Sequence, residues 1–182
     1  MKSMVEFVER HWTENQTIVE FGMGNGVLLL KLLERSERPN RFRFLGLDYA
    51  PEAVKLARSI AAANEHGDAI VYESADLTDV ESVQRLCAPR SVDILLDKGT
   101  LDAISLHPER TKMMSLYKGS ILRVLRSPSG IFLIASCNFT RSELIEQFSP
   151  ELALHEEVPT KQLVFGGVVG RSTTILALRF AS

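Results

Sequence analysis

Glycines stand at 22, 24 and 26, alternating along the chain and preceded by the carboxylate of Glu20. They follow the apolar run 17–21 directly, where a buried strand must hand over to a helix. Glycine permits that tight turn and lets a ligand approach the backbone. The free amides at the start of the helix then point at whatever lies on the loop. A dinucleotide site has Gly-x-Gly-x-x-Gly or Ala. Here the third place is Val27, whose bulk crowds the helix–strand packing and the pyrophosphate approach. Glu20 would also repel a pyrophosphate, but it suits a ligand with an ammonium group, such as the methionine end of S-adenosylmethionine. Glu20, Gly22, Gly24 and Gly26 are therefore expected to cradle that cofactor.

Three more acids fall where such a ligand would meet them. Asp48 ends the second apolar run, 22 residues beyond Gly26. It offers acceptors to both ribose hydroxyls, or is a strand-end carboxylate or helix cap. Tyr49 beside it lies against adenine or ribose, or packs on the surface. After the third run, Asp76 can accept from the adenine amino group while the Leu77 amide meets a ring nitrogen; Asp76 is equally a good N-cap. Asp97-Lys98-Gly99-Thr100 follows the fourth run and should border the reacting group, since ligands in a doubly wound sheet lie beyond the carboxyl ends of the strands. This segment is not the Asn/Asp-Pro-Pro-Tyr/Phe signature of base-amine methyltransferases.

Alternating elements must hold these residues in place. Helical spacing marks 3–13, 27–35, a helix opening at Pro51, 80–86, 109–125 and 141–148. Strand-like runs cover 17–21, 42–48, 69–73, 92–97 and 130–136, followed by 152–158 and 173–180 with no helix between that last pair. A pair joined without a crossover helix must be antiparallel. The expected fold is an α/β, doubly wound, seven-stranded, mostly parallel sheet with an antiparallel C-terminal strand, the Rossmann-like class I methyltransferase arrangement.

Composition agrees. The 182 residues suit one domain, 45% apolar and 24% charged, with net charge -2. No global basic field exists to hold a nucleic acid. No apolar run reaches membrane-spanning length and the first ten residues are no secretory signal, so cytoplasm is the default location, with the nucleus open. Cys87 and Cys137 read as reduced, mostly buried thiols. The four histidines show no metal-ligand or nucleophile arrangement, and no metal is expected. His107-Pro108 only introduces a helix, and Trp12 is core packing.

The segment 97–106 resembles the post-strand-four segment of the elongation factor 1-alpha lysine methyltransferases of the methyltransferase-like 10 type. Ser136-Cys137-Asn138-Phe139-Thr140 is similar to that family's segment after strand five, which usually has Trp where this chain has Phe139. Phe165-Gly166-Gly167 in the final hairpin and the glycine loop also fit, although the family more often has Asp-Ile-Gly-Thr-Gly in the loop. The resemblance covers nearly the whole chain. It implies a protein-lysine N-methyltransferase with elongation factor 1-alpha as protein substrate; the chain is separately expected to be a monomer. Cofactor contacts are implied at Gly22, Gly24, Asn25, Asp48, Asp76 and Leu77. Asp97, Lys98 and Thr100 would line the reacting end, and Asn138, Phe139 and Phe165 the lysine channel. Family members carry a further aromatic segment upstream of the first helix. The single domain 1–182 is expected to lack it.

Asp97 either contacts the methionine ammonium or holds the incoming amine in line, the first being slightly favoured. Lys98 orients Asp97 or is solvated. Asp102 caps a helix or faces substrate. The competing functions are another protein or small-molecule methyltransferase on the same fold, or a non-catalytic cofactor-binding or interaction protein. An NAD-dependent enzyme is disfavoured by Glu20 and Val27.

Overall fold

The computed structural model describes the backbone of residues 1–181 except 38, 66, 161, 166, 167 and 172, and the side chains of these except 39, 162–165 and 168–171. Helix α1 (Lys2–His11) precedes strand β1 (Thr17–Phe21), followed by α2 (Val27–Arg35), β2 (Arg43–Asp48), α3 (Pro51–Ala62), β3 (Ile70–Ser74) and α4 (Val80–Leu86). Then come β4 (Ile94–Lys98), α5 (Thr100–Ile104), α6 (Arg110–Val124), β5 (Ile131–Ser136), α7 (Arg141–Phe148), β6 (Leu152–Glu157), β7 (Gln162–Phe165), β8 (Val168–Arg171) and β9 (Thr174–Phe180). Seven strands form one sheet in the order β3-β2-β1-β4-β5-β9-β6. The first five are parallel, and β9 runs antiparallel between β5 and β6. Strands β7 and β8 form a separate antiparallel pair.

Side chains alternate across the pleat, so each strand feeds two apolar layers. Ile18, Phe44, Ile94 and Leu133 pack under α1, α2 and α3. Val19, Phe21, Leu45, Leu95 and Phe132 pack under α4, α6 and α7. The register sets Phe21 beside Leu47 and Asp97, and Asp48 beside Ser74, so the carboxyl ends of the central strands are level. From β1 the chain winds outward through β2 and β3, then returns to the other side of β1 as β4. The crevice at that reversal is where a doubly wound sheet takes a ligand. Among the described residues no helix is long and apolar enough to cross a membrane.

The sequence reading has the sheet class right and most boundaries within two residues. Three differences matter. Helix α1 stops at His11 because Trp12 is extended and packs on Phe42, 4.9 Å between ring centroids. The expected strand from Val92 begins at Ile94, Val92 making only an isolated bridge to Leu125. Helix α5 was not anticipated, and it forms a wall of the site.

Candidate active site

The carboxyl ends of β1 to β4 open into a cleft of about 840 Å³, a volume ordinary for a small-molecule site. Gly22 lies at its floor. Asp48 and Tyr49 reach it from the end of β2, Asp76, Leu77 and Thr78 from beyond β3, and Lys98, Gly99 and Thr100 from beyond β4. The far wall is the turn through Leu106, His107 and Pro108, together with Ala103 and Ile104 of α5 and Met113 of α6. Of the residues expected on the cofactor, Gly22, Asp48, Tyr49, Asp76 and Leu77 line this crevice, whereas Glu20, Gly24, Asn25, Gly26 and Asp97 are not among its lining.

Gly22 and Gly24 serve different needs. Both have positive φ, 65° and 55°. A side chain at 22 would meet Thr100 Oγ1 at 2.1 Å, so the first glycine is required by α5. A side chain at 24 would meet nothing within 4 Å, so the second keeps space open above the loop. Asp48 secures that loop: Oδ2 accepts from the Gly24 amide at 2.9 Å and Oδ1 from the Ala50 amide at 3.0 Å. Asn25 is exposed, its Oδ1 accepting from the Val27 amide at 3.3 Å, and Gly26 is buried beneath Tyr72. Tyr49 is 74% exposed, standing over the cleft rim.

Beyond β3 the ambiguity about Asp76 resolves. Helix α4 is capped by Asp79, which accepts from Glu81 and Ser82 amides. Asp76 instead holds Thr78 through one oxygen, at 2.9 Å to the amide and 2.7 Å to the hydroxyl, and remains on the cleft surface.

Two of the expected residues lie below the open cleft rather than on its surface. Glu20 does not line the open cleft. It lies beneath the loop, 1% exposed, with Oε2 lacking a hydrogen-bond partner. Burial pushes its carboxyl up to about 8; Asp97 and Asp48 add to the rise, and Lys98 opposes it. Asp97 is wholly buried and does not reach the reacting end. Its Oδ1 accepts from the Thr100 amide at 2.7 Å, and its Oδ2 from the Leu101 amide at 3.1 Å and the Tyr117 hydroxyl at 2.8 Å. Burial raises its pKa to about 6 against these hydrogen bonds. The carboxylate thus anchors the start of α5, satisfying amides a five-residue helix would leave bare. Lys98, not among Asp97's partners, is exposed on the cleft wall.

Thr100 completes the anchor by donating its hydroxyl to the Phe21 carbonyl at 2.6 Å. Asp102 neither caps its helix nor faces open space. Its Oδ1 accepts from the Ser136 hydroxyl and its Oδ2 from the Cys137 amide at 2.8 Å. Asn138 is exposed, whereas Phe139 is partly buried against the layer under α6 and α7; neither borders the cleft itself. Cys137 is exposed, contrary to expectation, and Cys87 is buried. The expectation for the Phe165 side chain and for Gly166 and Gly167 lies outside the described residues. Sequence reasoning missed Ala103, Ile104, Leu106 and Met113 as wall residues and gave His107 no place in the site. His107 does introduce α6, its Nδ1 accepting from the Glu109 amide at 3.0 Å, but it also lines the cleft.

A family model described as a methyltransferase domain matches residues 13–173. The fold is similar to the glycopeptide N-methyltransferase MtfA solved with sinefungin, at TM-score 0.68 and 10% identity, over 99% of this chain and 93% of that one. Sheet order, switch-point cleft and glycine loop define a class I methyltransferase. EEF1A lysine methyltransferase 2 of Danio rerio is 32% identical over 98% of this chain and 73% of its own length. Protein-lysine N-methyltransferase efm4 of Schizosaccharomyces pombe is 36% identical over 89% of this chain and 68% of its own length. The chain belongs to this family of protein-lysine methyltransferases.

Proposed function

We propose that the chain transfers a methyl group from S-adenosylmethionine to a lysine of elongation factor 1-alpha. The observation carrying this reading is the convergence of Gly22, Asp48, Tyr49, Asp76, Leu77, Lys98 and Thr100 on one cleft in a member of this family. The residues fit the cofactor. Space stays open over Gly24, and the orphaned Oε2 of Glu20 is a buried acceptor awaiting a counter-charge, as a methionine ammonium would be. Asp48 and Tyr49 would hold the ribose end, and Asp76 with the Leu77 amide the adenine.

When bound, the cofactor supplies a methyl group already activated by its sulfonium. The protein's task is alignment. Thr100, fixed by Phe21 and Asp97, holds the wall against which that end is positioned. An incoming lysine amine, with an ordinary pKa of about 10.4, must be neutral to attack. The apolar wall of Ala103, Ile104, Leu106 and Met113 disfavours its charged form, and the Lys98 ammonium adds repulsion of the same sign. Asn138, exposed in the turn after β5, is the candidate contact for the substrate backbone or amine.

Radiolabel transfer tests the reading. With purified elongation factor 1-alpha, label should appear on the protein and vanish when its acceptor lysines are replaced by arginine. Label confined to other proteins or small molecules, or cofactor binding without any transfer, would overturn it.

A further inference from the structure

We propose that Asp102 is a positioning residue that fixes the segment after β5, and through it the substrate side of the site, relative to the cofactor loop. Three successive backbone amides depend on its carboxylate, one directly and two through the Ser136 hydroxyl. The Cys137 amide donates to Oδ2 at 2.8 Å. The Asn138 and Phe139 amides donate to Ser136 Oγ at 3.1 Å and 3.0 Å, and that hydroxyl spends its one proton on Asp102 Oδ1. A hydroxyl has one donor and two acceptor positions, so all three are used. The negative charge of Asp102 orients the Ser136 proton, which in turn frees both lone pairs for the amides. Links of this kind reinforce one another.

The start of the same helix, two residues before Asp102, is tied to the end of β1. Thr100 donates to the Phe21 carbonyl, and Asp97 accepts from the Thr100 and Leu101 amides. Through Thr100 and Asp102, helix α5 therefore links the end of β1 to the turn after β5. On the far side of that turn Thr140 and Glu143 form a capping box for α7, so residues 137–139 are held from both directions. Asp102 does not touch the reacting atoms. Its effect is exerted through where Asn138 stands, and in that respect the inference rests on the proposed function.

Asp102→Asn is nearly isosteric but turns one acceptor into a donor. Either the Cys137 amide meets an NH₂, or Ser136 must turn its proton away and give up one of the two amides it now accepts from. The expected signature in methylation of elongation factor 1-alpha is a rise in KM for the protein substrate on the order of tenfold, with cofactor Kd from calorimetry changed less than about twofold. Ser136→Ala should share this signature, and the double variant should be no worse than either single one. Independently of activity, amide hydrogen exchange at 137–139 should accelerate in both variants. Unchanged exchange with unchanged kcat/KM would overturn the inference, as would a parallel loss of cofactor affinity, which would make Asp102 merely a support of the cleft wall. If the wild-type protein transfers no methyl group, the proposed function fails, but the exchange comparison still decides whether Asp102 holds the turn.

Discussion

Lys98 shows how one side chain's setting narrows its role. It sits in a segment where its neighbours are committed: Asp97 to the start of α5, Gly99 to a left-handed turn at φ 85°, Thr100 to the Phe21 carbonyl. Lys98 alone of the four projects exposed from the cleft wall, and no ion pair is found for it among the described residues. A fixed cation beside the reacting end lowers the pKa of an approaching amine. Lys98→Gln should therefore shift the acidic limb of the kcat–pH profile to higher pH, because kcat reports ionisations in the substrate complex. A shift of about one unit corresponds to ~1.4 kcal/mol of lost repulsion. An unshifted profile with reduced kcat would remove this role and leave Lys98 a contact for some other part of the ligands.

Among the elements, helix α5 is held at its start by Phe21 and Asp97. Thr100→Val keeps the side chain's shape but withdraws the proton from the Phe21 carbonyl, which then lacks its partner at the floor of the cleft. A loss of roughly 1–3 kcal/mol in denaturant unfolding is expected, with weaker cofactor binding, while Thr100→Ser should retain both. Equal stability of the valine and serine variants would show that the bond does not hold α5. The same helix marks the limit of what the residues reveal unaided. The parallel strands other than β3 were legible because each is an apolar run buried on two faces, and α2, α4 and α7 were legible to the residue from their periodicity and flanks. Helix α5 has five residues, too few to show a period, and its cap comes from Asp97 on the preceding strand rather than from a residue at its own start. Asp97 accordingly reads as a ligand contact, and Asp102 as a helix cap or a residue facing substrate. Nothing local distinguishes a carboxylate aimed at a ligand from one aimed at a hydroxyl and a backbone amide 34 and 35 residues away in sequence, as Asp102 is. Glu20 was legible as an acid on the right loop, but its depth below the loop depends on α2 and Tyr72 closing over it, which is a property of the packed molecule.

Taken whole, the protein buries two carboxyl groups between its layers, and their protons link folding to ligand binding. Burial raises Glu20 to about 8 and Asp97 to about 6, whereas in an unfolded chain both titrate near about 4. Between those values the folded state holds more protons than the unfolded state, so stability falls as pH rises. The decline attributable to Asp97 is complete above about pH 6, and that attributable to Glu20 continues to about pH 8. The ligand-free protein should therefore lose a few kcal/mol in denaturant unfolding between about pH 5 and about pH 8. Glu20→Gln should flatten most of that slope and be the more stable protein at pH 8. A cationic ligand end reverses the sign. An ammonium near the Glu20 carboxylate favours its charged form, so cofactor binding near pH 7 should release a proton and strengthen toward pH 8. Calorimetry in phosphate and in Tris reads that proton directly, since the apparent enthalpies differ by the buffers' ionisation heats. In Glu20→Gln the difference should disappear and affinity should fall on the order of tenfold, the usual loss for a charge-assisted contact. Identical enthalpies in the two buffers for the wild-type protein would mean that Glu20 keeps its proton throughout, and that the acid before the glycine loop holds the backbone rather than the cofactor.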